Sequence, residues 1–191
     1  MHRYSSDILL GISEKYYVRS MLSWIFTLRG NEGVTIMKTL CLYYTRTNTT
    51  KAAMEHLAKL LDADLAEYTD GKDRSGILGY ISACFASKKK AASQVSIKGD
   101  IQLDEYDRVI IGMPVWAEGP CAIGCGFIEK YKTKLPKDVY YVVTHMSKNG
   151  YETKIKAMDE ILGRSSAGQI SLSTKGQDYI KDIETFAKQM K

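Results

Sequence analysis

The sequence predicts an α/β fold in which helices cover both faces of a central parallel sheet. Short, almost continuously apolar segments at 39–44 and 108–113 are typical of strands buried on both faces. They alternate with segments whose apolar residues recur at helical spacing, as in 152–162. Such alternation, with right-handed crossovers, gives a doubly wound three-layer sandwich.

Five segments are expected to form the strands. The run 39–44 is apolar and ends abruptly in polar residues, and 63–68 has the mixed pattern of an edge strand. The run 108–113 is strongly apolar and is expected to stop at Pro114, which cannot donate to a sheet. The segments 139–144 and 169–172 complete the set, the last with a weaker pattern.

Four segments are expected to form helices. The first follows Thr50, the second includes 125–131, the third is 152–162 and the fourth is 177–190. Gly163 is expected to end the third helix. Residues 70–96 are long for a plain connection, with early glycines and a candidate helix at 80–92.

Composition limits the class of protein. A chain of 191 residues that is 45% hydrophobic can fill one core, and we expect a single domain at 37–191. The net charge of +5 is spread along the chain, apart from 88–90, so we expect no nucleic-acid binding. No apolar run approaches the roughly 18 residues of a membrane span, so stable membrane insertion is not expected.

The four cysteines have neither metal-site spacing nor neighbouring histidines. We therefore expect no metal site, and reduced thiols in a cytoplasmic protein. Cys121 and Cys125 are expected to be small packing residues.

Residues 1–36 form an N-terminal extension that lacks a standard signal peptide. Codons for Glu32-Gly33-Val34 can contain a ribosome-binding GGAG shortly before Met37, so one hypothesis is that translation starts at Met37. The alternative is an amphipathic helix that caps the domain or touches a membrane surface.

A hydroxyl-rich loop separates the first strand from the first helix. Its sequence is Thr45-Arg46-Thr47-Asn48-Thr49-Thr50. Free amides and the helix dipole hold phosphate at such a position, and hydroxyls add donors. The loops typical of nucleoside triphosphate and dinucleotide sites, G-x-x-x-x-G-K-[ST] and G-x-G-x-x-G, do not occur. The alternative is that a threonine merely caps the helix.

The pattern T-x-T-x-x-T at this position resembles the phosphate-binding loop of the flavodoxin family. Thr45, Thr47 and Thr50 fall on its hydroxyl positions, and Asn48 stands where many members have glycine. Asparagine tolerates the left-handed backbone better than most residues. The resemblance implies flavin mononucleotide (FMN) as cofactor and a five-stranded parallel sheet of order 2-1-3-4-5.

A second match lies at the end of the third strand. Residues 106–116 resemble the family segment Y-D-x-[VI]-I-x-G-x-P-V-W-x-G, and Gly76-Ile77-Leu78-Gly79-Tyr80 looks like an insertion found in some members. The resemblance implies two loops beside the flavin ring. Their residues are Pro114, Val115, Trp116, Ala117, Glu118 and Gly119, and then Thr144, His145 and Met146. A carboxylate of Glu118 pointing inward would lower the flavin potential. Ordinary packing of Trp116 and a solvated His145 are the alternatives.

The resemblance implies an electron-transfer protein in which FMN does the chemistry, with no strictly catalytic side chain. A redox partner protein or a small acceptor would exchange the electrons, and the chain is expected to be a monomer or homodimer. Two alternatives remain open. The first is an FMN-dependent NAD(P)H:quinone-type reductase, for which the basic charge leaves room because small flavodoxin carriers are usually acidic. The second is a flavin-free binding module that retains the fold.

Overall fold

Five long strands form a parallel sheet, and two short strands extend it. The computed structural model describes residues 37–72, 94–116, 119–147, 150–175 and 179–190. In chain order the strands are β1 (Thr39–Tyr43), β2 (Asp64–Thr69), β3 (Ser96–Ile97), β4 (Arg108–Trp116), β5 (Gly119–Pro120), β6 (Asp138–His145) and β7 (Gly168–Ser173). The long strands lie in the order β2-β1-β4-β6-β7, with every neighbouring pair parallel. The predicted five-stranded sheet of order 2-1-3-4-5 is confirmed.

Both short strands pair antiparallel. β3 pairs with β2, and β5 pairs with the last residues of β4. β4 continues through Pro114 to Trp116, so the expectation that this strand stops at Pro114 is wrong. Its neighbour β1 ends opposite Gly112, and the amide hydrogen that Pro114 lacks is therefore not needed for pairing with β1.

The helices follow the predicted positions. They are α1 (Thr49–Leu61), α2 (Ala122–Tyr131), α3 (Glu152–Leu162) and α4 (Tyr179–Lys188). Gly163 ends α3 in the left-handed conformation, at φ 77°, as expected. α2 contains the predicted segment 125–131 and has Cys121 as its N-cap: the Cys121 Sγ accepts a hydrogen bond from the Gly124 amide at 3.4 Å. Among the described residues, no helix combines the length and the apolar character needed to cross a membrane.

Side chains of successive strand residues fill two cores on opposite faces of the sheet. On one face, Leu57 of α1 and Phe186 of α4 pack against residues such as Ile110. On the other face, Phe127 of α2 and Ile155 of α3 complete the second core. The helices therefore form the two outer layers of the predicted three-layer sandwich.

Some predictions fall outside the described residues. These are the N-terminal extension at 1–36, the candidate helix at 80–92, the segment 76–80, and the loop residues Ala117 and Glu118. They stay predictions, as does the domain boundary near residue 37.

Candidate functional site

The carboxyl edge of the sheet brings the three predicted loop segments together. β1 leads into residues 44–48, β4 into the hairpin with β5, and β6 into residues 146 and 147. β1 lies between β2 and β4, so the strand order reverses between β1 and β4. Open α/β sheets bind ligands in the crevice at such a switch point.

The start of α1 lies at this switch point and lacks a side-chain cap. Asn48 is the N-cap residue, and its side chain makes no capping hydrogen bond. The Ala52 amide donates to the Asn48 carbonyl at 2.9 Å, and this bond begins the helical pattern. The amides of residues 49–51 precede it and have no acceptor within the helix. The alternative that a threonine caps the helix is therefore wrong, and the amides and helix dipole face the loop.

Asn48 adopts the left-handed conformation, with φ 61° and ψ 0°. Most side chains are strained there, whereas glycine and asparagine are tolerated. Asn48 therefore adopts the left-handed backbone that asparagine is expected to tolerate.

The threonines of the loop divide into an outer and an inner set. Thr47 is exposed, and its Oγ1 lies 3.3 Å from that of Thr49. Thr50 is only 1% exposed, and its hydroxyl lies 2.7 Å from the hydroxyl of Thr144, which is 3% exposed. Thr50 was expected to face a phosphate; the structure directs its hydroxyl to β6, where it ties the loop to the end of that strand.

The local charges suit an anion. Negative charge is stabilising at the N-terminus of a helix, and the first turn of α1 contains no acidic residue that would supply it. Arg46 is half-buried in the loop, and Lys51 lies in the first turn, 3.7 Å from Glu55.

Aromatic side chains line the carboxyl edge beside this loop. Trp116 is 8% exposed and packs edge-on against Tyr44, with ring centroids 5.6 Å apart. Tyr68 lies 6.2 Å from Tyr44, and its hydroxyl donates to the Gly112 carbonyl at 3.0 Å. Burial raises the pKa of Tyr68 well above its usual value, so it serves as a neutral donor. Trp116 thus packs against neighbouring aromatic residues, as one interpretation expected. It also lies at the edge of the sheet where contact with the flavin ring was predicted.

The described residues of the first ring loop, at 114–116 and 119, belong to two strands that pair antiparallel. Val115 of β4 is opposite Pro120, and Trp116 is opposite Gly119. The Pro114 carbonyl accepts a hydrogen bond from the Cys121 amide at 3.1 Å, which closes the base of the hairpin. The described residues of this loop are therefore held by backbone pairing.

His145 is buried at the carboxyl end of the sheet. It is the last residue of β6 and is 7% exposed, so the interpretation as a solvated loop residue is wrong. Its ring nitrogens lie 3.2 Å from the Ser147 carbonyl and 2.8 Å from the Ser171 hydroxyl. Met146, the next predicted residue, is 72% exposed at the carboxyl edge.

Several motif residues are structural. The Asp107 carboxylate accepts from the Lys38 amide at 2.8 Å, which joins the starts of β4 and β1. At Gly112, a Cβ atom would lie 2.6 Å from Cγ and Sδ of Met54, so glycine permits the close approach of α1. Tyr44 was not predicted as a site residue, although its place directly after a strand at the switch point is a signal that could have indicated it.

The thiols are buried packing groups. Cys121 is 0% and Cys125 2% exposed, as expected, and no disulfide occurs among the described cysteines. Burial raises the pKa of Cys41, in the centre of β1, to about 12.

Solved structures assign the chain to the class of flavodoxin-like folds. A flavoprotein from Lactobacillus acidophilus NCFM, solved in complex with FMN, matches with a TM-score of 0.59 and 19% identity over 78% of this chain and 99% of that one. A proposed flavoprotein from Bacteroides eggerthii DSM 20697 matches with a TM-score of 0.60 and 20% identity over 80% and 97%. An archaeal flavodoxin matches with a TM-score of 0.50 and 11% identity over 81% and 96%.

At these identities the matches establish the fold. No model of a protein family matches the chain, and no curated protein matches it by sequence. The flavodoxin-like fold implied by the two sequence motifs is therefore confirmed.

Proposed function

We propose that the chain binds FMN, with the phosphate held by residues 45–50, and transfers electrons through it. The uncapped start of α1 at the switch point of the sheet carries this proposal. Three amides without intrahelical acceptors, a hydroxyl-rich loop and a first turn without acids form a site whose chemistry matches a phosphate monoester. The similar Lactobacillus acidophilus flavoprotein, solved with FMN, supports the choice of flavin.

Different side chains of the loop take different roles in this proposal. Thr47 is exposed and hydroxyl-bearing, so it is placed to donate to the phosphate. Arg46 contributes positive charge. Thr50 is buried against Thr144 and contributes indirectly, by fixing the loop to the sheet.

The ring would lie between the hairpin that follows β4 and the segment that follows β6. Backbone groups of the hairpin would bind the polar edge of the ring, and Trp116, held edge-on by Tyr44, would form the wall behind it. Met146 offers an exposed apolar side chain on the other flank. Bound FMN supplies the redox chemistry, and the protein supplies orientation, exclusion of water and control of the potential.

The physiological role is that of an electron carrier to a redox partner protein or small acceptor in the cytoplasm. Reduced thiols, which are typical of cytoplasmic proteins, support this location: Cys41, Cys121 and Cys125 are buried and form no disulfide with one another. A second candidate is a reductase that uses a nicotinamide cofactor and a quinone-type acceptor. The net charge of +5 favours it, because small flavodoxin carriers use negative charge to reach basic partners.

The proposal is tested by purifying the full chain and recording its visible absorption with and without added FMN. Bands at about 450 nm that follow the protein are expected for bound oxidised flavin. The exposed Thr47 is changed to alanine, with Thr185→Ala on α4 as the matched control. Loss of a hydrogen bond to a charged phosphate is expected to weaken binding about tenfold in Thr47→Ala. The control is expected to bind like the unmodified protein.

Two further outcomes separate the candidates. Rapid oxidation of NADH or NADPH with a quinone, without another protein, would favour the reductase. A colourless protein that ignores added FMN would refute flavin binding and leave a binding module with the same fold.

A further inference from the structure

A polar network joins the carboxyl ends of β6 and β7 to the segment between β6 and α3. The Tyr151 amide donates to the Ser171 Oγ at 3.0 Å, and that Oγ lies 2.8 Å from His145 Nε2. His145 Nδ1 lies 3.2 Å from the Ser147 carbonyl oxygen, which also accepts from the Ser173 hydroxyl at 2.7 Å. Both ends of the segment that flanks the proposed ring position are therefore bonded to strand side chains.

His145 lies on the face of the sheet opposite to the phosphate loop. Adjacent residues in a strand point to opposite faces. Thr144 reaches Thr50 at the start of α1, whereas the His145 ring packs edge-on against Tyr151 before α3, with centroids 4.8 Å apart. The His145 side chain is thus directed away from the phosphate, and its ring nitrogens are engaged by protein groups.

The partners of His145 indicate which ring nitrogen carries the hydrogen. A carbonyl oxygen only accepts hydrogen bonds, so Nδ1 must carry the hydrogen that points to Ser147. The Ser171 Oγ accepts from the Tyr151 amide and can donate its own hydrogen to a bare Nε2. In the neutral Nδ1–H tautomer these hydrogen bonds run in one direction, from Tyr151 through Ser171 to His145 and on to Ser147.

We propose that His145 is a positioning residue, which as the neutral Nδ1–H tautomer holds the Ser147 carbonyl and so fixes residues 146 and 147 beside the candidate flavin site. Ser173 holds the same carbonyl, and Ser171 holds the other end of the segment at Tyr151. The link to flavin rests on the proposed function, whereas the tautomer and the restraint are properties of the protein alone.

The first test uses the full chain without flavin. The chain has three histidines, so long-range ¹H–¹⁵N NMR spectra contain few imidazole signals, and a His145→Phe variant assigns the one concerned. A pyrrole-type Nδ1 and a pyridine-type Nε2 are expected. The reverse pattern, or a doubly protonated ring at neutral pH, would overturn the assignment.

The second measurement compares amide hydrogen exchange in variants of the network. His145→Phe keeps an aromatic ring against Tyr151 and removes both hydrogen bonds, whereas His145→Asn keeps a donor near the position of Nδ1. Exchange at the Tyr151 amide, whose acceptor Ser171 Oγ also contacts His145, is expected to rise about tenfold in His145→Phe and less than about threefold in His145→Asn. Ser171→Ala should raise exchange at Tyr151, which keeps the test decisive if His145→Phe fails to fold. Unchanged exchange in these variants would refute the restraint.

FMN affinity then separates the two proposals. If the protein binds FMN, His145→Phe should weaken binding about tenfold and His145→Asn should restore most of it. Equal affinity in all three proteins would overturn the positioning role. If the unmodified protein binds no FMN, the proposed function and the role toward flavin both fail, and the NMR and exchange measurements still decide whether His145 restrains the segment.

Discussion

The hydroxyl pair that joins the phosphate loop to β6 gives a quantitative prediction. Thr50 Oγ1 and Thr144 Oγ1 are 2.7 Å apart, and both residues are buried. Valine has nearly the shape of threonine, so Thr50→Val removes the hydrogen bond and leaves the hydroxyl of Thr144 buried. An unsatisfied buried hydroxyl costs about 1–3 kcal/mol, and Thr144→Val should cost a similar amount. The double variant removes both hydroxyls and should cost less than either single change, because no polar group is left without its partner.

Equilibrium unfolding in urea measures these free energies for the full chain without flavin. The midpoint should fall in both single variants with an unchanged slope, and the double-mutant cycle should give a coupling at least as large as one single cost, about 1–3 kcal/mol. Thr185→Val, on the exposed side of α4, is the control and should stay within about 0.5 kcal/mol. Additive single costs, or single variants as stable as the unmodified protein, would refute the reasoning.

Three further predictions concern the site and the strands behind it. Asn48→Gly should leave the free energy of unfolding within about 1 kcal/mol of the original. Asn48→Val should lower it by about 1–3 kcal/mol, because a β-branched residue is strained in the left-handed backbone of this position. Equal stability of the two variants in urea would contradict this prediction. Gly112→Ala should lower stability by about 1–3 kcal/mol, since its Cβ would lie 2.6 Å from Met54 Cγ, and a thermal midpoint equal to that of the original would refute the contact. Burial raises the pKa of Cys41 from 9.0 to about 12. At pH 9, alkylation of this thiol should therefore be at least about a hundredfold slower in the native protein than in the protein unfolded in urea. Peptide mass spectrometry measures both rates. The same shift should lower the free energy of unfolding as pH rises above 9, because the unfolded thiol ionises and the native one does not; equal alkylation rates would contradict both statements.

The strands and helices that could be predicted are those whose periodicity is set by burial. The interior positions of β1 and β4 are buried on both faces, so the apolar runs predict them directly. β5 could not be predicted, because Gly119 and Pro120 have no strand pattern and pair only through the fold. Gly124 weakens the helical pattern in the first turn of α2. A Cβ there would lie 2.3 Å from Met113 Sδ, so packing requires the glycine.

The place of the candidate site could be predicted, whereas the direction of its side chains could not. Hydroxyl-rich residues between a strand and a helix indicate the location, and nothing in the pattern distinguishes the exposed Thr47 from the buried Thr50. His145 was assigned to a loop because the apolar run ends at residue 144. His145 belongs to β6 because it pairs with Ser173 of β7, and this contact between distant parts of the chain is not visible in the local sequence.

In the proposed site, the start of α1 holds the phosphate of a flavin. Isothermal titration of the full chain with FMN and with riboflavin, which lacks the phosphate, measures the contribution of that phosphate to binding. FMN is expected to bind at least about a hundredfold more tightly, since each charge-assisted hydrogen bond contributes roughly 1.5–3 kcal/mol. Equal affinity for the two flavins, or binding of neither, would contradict the claim.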